Sequence, residues 1–89
     1  MFPVKICGIA NRESLELVLK YPVSAIGFIF YHNSPRFIKP TDALELTKFI
    51  PVHVSTVGVF VNEPTEKIDT IAEQLNLDFI QLHGNESPE

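Results

Sequence analysis

The feature that most constrains this chain is an alternation. Four short apolar segments, residues 4–9, 25–30, 56–61 and 79–83, are separated by longer stretches in which apolar residues recur at helical spacing. Strand and helix alternating in units of about 20–30 residues means parallel strands joined by right-handed crossovers. In such folds ligands bind beyond the carboxyl ends of the strands, where the loops converge on one face. The reactive and polar residues gather there: Cys7 late in the first segment, Arg36 after the second, Asn62 closing the third, and Gln81 and His83 ending the fourth.

The intervening elements can be placed from their punctuation. Asn11 offers a side-chain oxygen to cap a helix running to about Lys20, with Leu15, Val18 and Leu19 on its buried face and Pro22 ending it. Residues 25–30 are continuously apolar, as expected of a strand covered on both faces. Residues 31–40, with Asn33, Ser34 and two prolines, read as a loop longer than the usual βα connection, and loops of that kind are commonly functional. Thr41 is expected to cap a second helix with Ala43, Leu46, Thr47 and Ile50 inward and Pro51 as its stop. Asn62 or Glu63 is expected to cap a third, with Pro64 in its first turn; Ile68, Ile71, Ala72 and Leu75 then give the clearest amphipathic stripe, and Asn76 the stop. Gly84-Asn85 is expected to turn the chain out of the last strand.

The result is β-α-β-α-β-α-β, an α/β chain with no linker, composition shift or sequence repeat. Two architectures accept it: an open doubly wound sheet of the flavodoxin kind, or the first four units of an eight-stranded (βα)₈ barrel. Pattern alone leaves both open.

At 89 residues the chain is one domain at most, and 45% hydrophobic with 20% charged residues is ordinary for a folded chain. A net charge of −4 with scattered cations leaves no footprint for nucleic acid or an anionic membrane, so neither is an expected partner. No segment approaches the length of a transmembrane helix, and no secretory signal is read at the start. One cysteine excludes an internal disulfide and fits a reducing cytoplasm. Cys7, His32, His53 and His83 form no metal-ligand spacing, and a zinc site is not expected.

Lys5 and Cys7 share one strand face, because side chains alternate with a period of two. A thiol acts as base or nucleophile as the thiolate, which a neighbouring cation favours; the alternative is that Cys7 is a small buried hydrophobe. Gly8 belongs to no dinucleotide fingerprint, since Ala10 and Asn11 follow it. Arg36, stiffened by Pro35, carries the planar fork that grips a carboxylate. On the fourth strand Phe79, Gln81 and His83 share one face and Ile80 and Leu82 the other, so the first face suits a ligand pocket and the second suits helices.

These stretches together resemble the amino-terminal half of phosphoribosylanthranilate isomerase, a tryptophan-biosynthesis enzyme built as a (βα)₈ barrel. The matching segments are Val4-Lys5-Ile6-Cys7-Gly8-Ile9, then Gly27-Phe28-Ile29-Phe30-Tyr31 with Ser34-Pro35-Arg36, then Val57-Gly58-Val59-Phe60-Val61-Asn62, and Gln81-Leu82-His83-Gly84. They occur in the family's order across nearly the whole chain. The resemblance implies a TIM barrel whose first four βα units are residues 1–89, and an Amadori rearrangement of N-(5′-phosphoribosyl)anthranilate without a cofactor. It implies Cys7 as the general base, Arg36 as the grip on the anthranilate carboxylate, and Gln81 and His83 in supporting substrate contacts. Ala10 departs from the hydroxyl residue often found in the family, and the first βα loop is left unassigned.

In the family the aspartate general acid and the phosphate-binding loops come from later units. The 89-residue chain alone is therefore expected to be inactive. A sheet with two unpaired edges and an uncovered apolar face is also expected to associate with another copy or with a carboxyl-terminal half-barrel, to flatten, or to belong to a longer protein. The competing readings are another ribulose-phosphate-type barrel, a non-catalytic half-barrel assembly module, and the open flavodoxin-like binding domain.

Overall fold

The computed structural model of the chain describes residues 4–83. Its elements are β1 (Lys5–Cys7), α1 (Arg12–Val18), β2 (Ala25–Ile29), α2 (Pro40–Thr47), β3 (Ser55–Val61), α3 (Thr65–Leu75) and β4 (Phe79–His83). The strands are all parallel and lie side by side in chain order, β1-β2-β3-β4. A flavodoxin-like sheet would run 2-1-3-4. The sequential order excludes it and is that of a barrel. The expected turn at Gly84-Asn85 lies outside the described residues.

Alternation along the strands sorts the two faces. Ile26, Phe28, Phe30 and Phe60 point to the helices and are buried with Leu15, Ala43, Leu46, Ile68, Ile71 and Leu75 in one core. The rings of Phe30 and Phe60 stack at 5.3 Å between centroids, tying β2 to β3. The stripe read for α3 is the one that packs: Ile68, Ile71 and Leu75 are its buried residues. Arg12 lies 3.9 Å over the Phe49 ring, joining α1 to the end of α2 on the outer surface.

The caps are where expectation and structure part. Asn11 does cap α1, its side chain accepting from the Ser14 amide at 2.7 Å. Thr41 does not cap α2. Lys39 holds that place with no side-chain bond and Pro40 already stands inside the helix. Proline fixes a helical φ and needs no N–H partner at a first position, while it drives the residue before it into extended backbone. Lys39 has φ −73° and ψ 145° accordingly. Pro64 in turn is the cap residue of α3 and not part of its first turn, and neither Asn62 nor Glu63 is the cap. Its backbone is extended, and its carbonyl accepts the Ile68 amide at 3.1 Å.

Helices α1 and α2 end earlier than the expected Lys20 and Ile50, because each closes in a tighter turn. Tyr21 donates to Val18, and Ile50 to Thr47, in i to i−3 bonds ahead of Pro22 and Pro51. Asn76 ends α3 in the left-handed region at φ 55°, as its type allows. Strand β1 is shorter than the apolar run that suggested it, since Gly8 turns to φ 91° and breaks the ladder.

Candidate active site

The face of the sheet turned away from the helices follows from the register. Lys5 pairs with Ala25 and Cys7 with Gly27, Gly27 with Val57, and Val57 with Phe79; Val59 pairs with Gln81 and Val61 with His83. Paired residues on parallel strands point the same way, so Lys5, Cys7, Gln81 and His83 share this face. Lys5 lies in the row of Ser55, and Gln81 in the row of Val59, further along β3. In a flat sheet their α-carbons would stand about 19 Å apart, from the usual strand spacing and rise. A lysine and a glutamine side chain do not span that gap. Yet Lys5 Nζ donates to Gln81 Oε1. The sheet therefore curls with this face inward and its strands tilted, as barrel closure requires.

Cys7 is half-buried, and two glycines make the space around it and Arg36. A Cβ at Gly27 would stand 3.0 Å from the Cys7 sulfur, so the thiol lies directly over the neighbouring strand where a side chain is missing. A Cβ at Gly8 would stand 2.4 Å from Arg36 Cδ and within 3.4 Å of the guanidinium nitrogens Nη1 and Nε. Arg36 thus crosses the end of β1 one residue beyond the thiol. The two glycines are bonded together, with the Gly8 and Ile9 amides both donating to the Gly27 carbonyl at 3.0 and 3.3 Å. Gly8 at φ 91° holds a conformation that a side chain would strain.

The long loop after β2 is built to deliver that arginine. The Arg36 amide donates to Ser34 Oγ at 3.1 Å, the Phe37 amide to the Ser34 carbonyl at 3.1 Å, and the Ile38 amide returns to the Ile29 carbonyl at 3.0 Å. His32 stacks on Phe37 at 4.7 Å and stiffens the loop's far side. The guanidinium itself makes no hydrogen bond or ion pair among the described residues, so its donor fork is available. On β4, Gln81 Nε2 lies 2.8 Å from His83 Nε2. At the end of β3 Asn62 takes the left-handed region, φ 54°, and turns the chain toward α3.

Of the four residues singled out from the sequence, the fold thus brings Cys7 and Arg36 to one strand end and aligns Gln81 and His83 across the same face. Three contributors escaped that reading: Gly8 and Gly27 as the space-makers, and Lys5 as the partner of Gln81. Period two places Lys5 beside Cys7, but only strand order and curl place it against β4. Two cations, Lys5 and Arg36, flank the thiol in a chain of net charge −4, a local field suited to an acidic ligand. Among the described residues no group of three His, Cys, Asp or Glu side chains gathers as a metal site, and no helix is long and apolar enough to cross a membrane.

Comparison with known proteins agrees with the fold. Residues 4–89 match the family model for N-(5'phosphoribosyl)anthranilate (PRA) isomerase. The N-(5'-phosphoribosyl)anthranilate isomerase of Moorella thermoacetica is 48% identical over 89 residues, which is all of this chain and 40% of that protein. The crystal structure of phosphoribosyl anthranilate isomerase from Thermotoga maritima superposes with a TM-score of 0.91 at 45% identity, covering 98% of this chain and 42% of that one. A crystal structure of the isomerase in complex with reduced 1-(o-carboxyphenylamino)-1-deoxyribulose 5-phosphate also superposes at 0.91, covering 45% of its chain. The chain spans about two-fifths of the length of the curated relatives it matches.

Proposed function

The chain belongs to the N-(5'-phosphoribosyl)anthranilate isomerase family, and from that premise we propose that it supplies the thiol base and the carboxylate grip for the Amadori rearrangement of N-(5′-phosphoribosyl)anthranilate. The product is 1-(2-carboxyphenylamino)-1-deoxyribulose 5-phosphate, and the step belongs to tryptophan biosynthesis in the cytoplasm. The observation that carries the proposal is the seating of Cys7 and Arg36 over bonded glycines on adjoining strands. A crystallised relative holds a reduced form of this product, a molecule with an aromatic carboxylate at one end and a phosphate at the other.

The chemistry assigns roles by type. An acid protonates the furanose ring oxygen as its bond to C1′ breaks, and the anilino nitrogen lone pair forms the iminium. The Cys7 thiolate then takes the C2′ proton, the electrons of the broken C2′–H bond flow to the iminium nitrogen, and the resulting enol becomes the ketone by gaining a proton at C1′ and losing its hydroxyl proton. Base catalysis of such a transfer is worth about 10²–10⁴-fold. Arg36 holds the carboxylate through its fork, fixing the aromatic ring so that C2′ meets the thiol. Gln81 and His83 contact the sugar. No cofactor is required, since the iminium nitrogen of the opened substrate is itself the electron sink.

The general acid and the phosphate grip are assigned to the part of the family's barrel that this chain does not span. The occupant of its open edges is accordingly a carboxyl-terminal half-barrel. Val4, Leu17 and Tyr21 beside β1, and Phe79, Ile80 and Leu82 on β4, are exposed large apolar residues at those two edges. Mixing the chain with the carboxyl-terminal portion of the Thermotoga maritima relative tests this. Restored isomerisation is the expected result. An assembled barrel that binds the reduced product and turns nothing over would refute the role given to Cys7, and full turnover by the chain alone would refute the division of labour.

A further inference from the structure

We infer that Lys5 is a positioning residue that fixes the hydrogen-bonding state of His83 through Gln81, so that the ring presents Nδ1–H as a neutral donor to an oxygen of the sugar phosphate. The argument is one of donor and acceptor inventory. An ammonium group has only donors, so the atom of Gln81 that faces Lys5 Nζ is the amide oxygen, Oε1. The amide nitrogen is thereby turned the other way, 2.8 Å from His83 Nε2. An amide NH₂ only donates. Nε2 must therefore carry a lone pair, and the ring's one proton sits on Nδ1.

The bridge crosses the inward face from the first strand to the fourth, two strands that are not neighbours in the sheet. Lys5 therefore also ties the two edges of the four-stranded unit together, and does so from a place beside Cys7. Remove its donor and Gln81 is free to flip, after which either nitrogen of His83 can hold the proton. The group recognised is an acceptor oxygen, and a histidine kept in one tautomer donates to it with no charge to desolvate.

The ligand half of this inference rests on the isomerase reading; the tautomer half does not. Long-range ¹H–¹⁵N correlation spectra of the full 89-residue chain at about pH 8, where imidazole is ordinarily neutral, read the tautomer at His83 directly. The expected result is a predominantly Nδ1–H ring, a loss of about fivefold in that preference in Lys5→Met, from one ordinary hydrogen bond, and recovery in Lys5→Arg. Gln81→Glu, which cannot donate to Nε2, is expected to abolish it. A tautomer ratio in Lys5→Met equal to the parent's, or a parent ring protonated mainly on Nε2, overturns the inference. In the barrel assembled with the Thermotoga maritima carboxyl-terminal portion, Lys5→Met is expected to raise KM about fivefold with kcat less affected, and unchanged KM overturns the ligand half. An assembled parent with no turnover sinks the isomerase reading and leaves the tautomer result standing.

Discussion

At the amino ends of β3 and β4 the polar groups are bonded to one another. Asp78 Oδ2 accepts from the Thr56 amide at 2.8 Å and from Thr56 Oγ1 at 3.3 Å, while the Asp78 amide donates to the Thr56 carbonyl at 3.0 Å. At the carboxyl ends of the same sheet, Arg36 keeps its guanidinium donors unused among the described residues, and Cys7 faces a gap left by a glycine. One end closes on itself and the other stays open. A parallel sheet has a reason to differ in this way: its amino ends need only be joined, while its carboxyl ends carry the loops that meet a ligand. Substitutions at the open end should therefore change catalysis and spare stability, and those at the closed end should do the reverse.

The sharpest way to break that contrast is Cys7→Ala in the assembled barrel. Turnover is expected to fall by about 10²–10⁴-fold, the usual worth of a general base, with substrate affinity largely kept and the urea midpoint unmoved. A large drop in stability would place Cys7 among the structural residues. Next in size is Arg36→Ala, expected to raise KM by about 10–100-fold through loss of a charge-assisted pair of bonds. Arg36→Lys should recover only part of it, since an ammonium lacks the fork. Equal recovery by lysine would mean a point charge is all the site needs.

At the closed end Asp78→Ala should cost about 1–3 kcal/mol of stability by leaving the Thr56 amide and hydroxyl without their acceptor, while kcat of the folded fraction stays the same. A change in kcat with unchanged stability would reverse the assignment of the two ends. Gly8→Ala tests the seam between stability and site. The left-handed backbone and the 2.4 Å approach to Arg36 Cδ predict a modest stability loss of about 1–2 kcal/mol together with a raised KM. Because the displaced atom belongs to a flexible arginine stem, the effect on Arg36 should be smaller than removing it.

How much of this was legible beforehand depends on the range of each interaction. The alternation of strands and helices, the α3 stripe and the Asn76 stop were all readable, because period and cap chemistry are local. The strand order was not; it came first through resemblance and then through the register, since both sheet types share one pattern. The starts of α2 and α3 differ from expectation because polar side chains do not set them: a proline that ends the preceding loop does. Pro40 sets the start of α2 itself, and Pro64 takes the cap position. Cys7 and Arg36 were visible as residue types that suit the chemistry. The glycines that seat them and the Lys5 to Gln81 bridge were not, because each depends on which strand lies next to which.

Asn11 gives the smallest and cleanest test of that local legibility. It stands in the first βα loop, at the same end of the sheet as Cys7, yet its oxygen is already engaged by the Ser14 amide and its backbone is extended, φ −154° and ψ 167°. By position it belongs to the open end, and by bonding to the closed one. If bonding decides, Asn11→Ala should lower stability by about 1 kcal/mol, the usual worth of an N-cap, with KM and kcat unchanged. Asn11→Asp should hold stability at the parent's value or slightly above it, since a carboxylate caps equally well and meets the positive end of the helix. A fall in kcat in both variants at constant stability would mean that the side chain leaves its cap to reach the substrate, and that location at the strand ends outranks the cap bond.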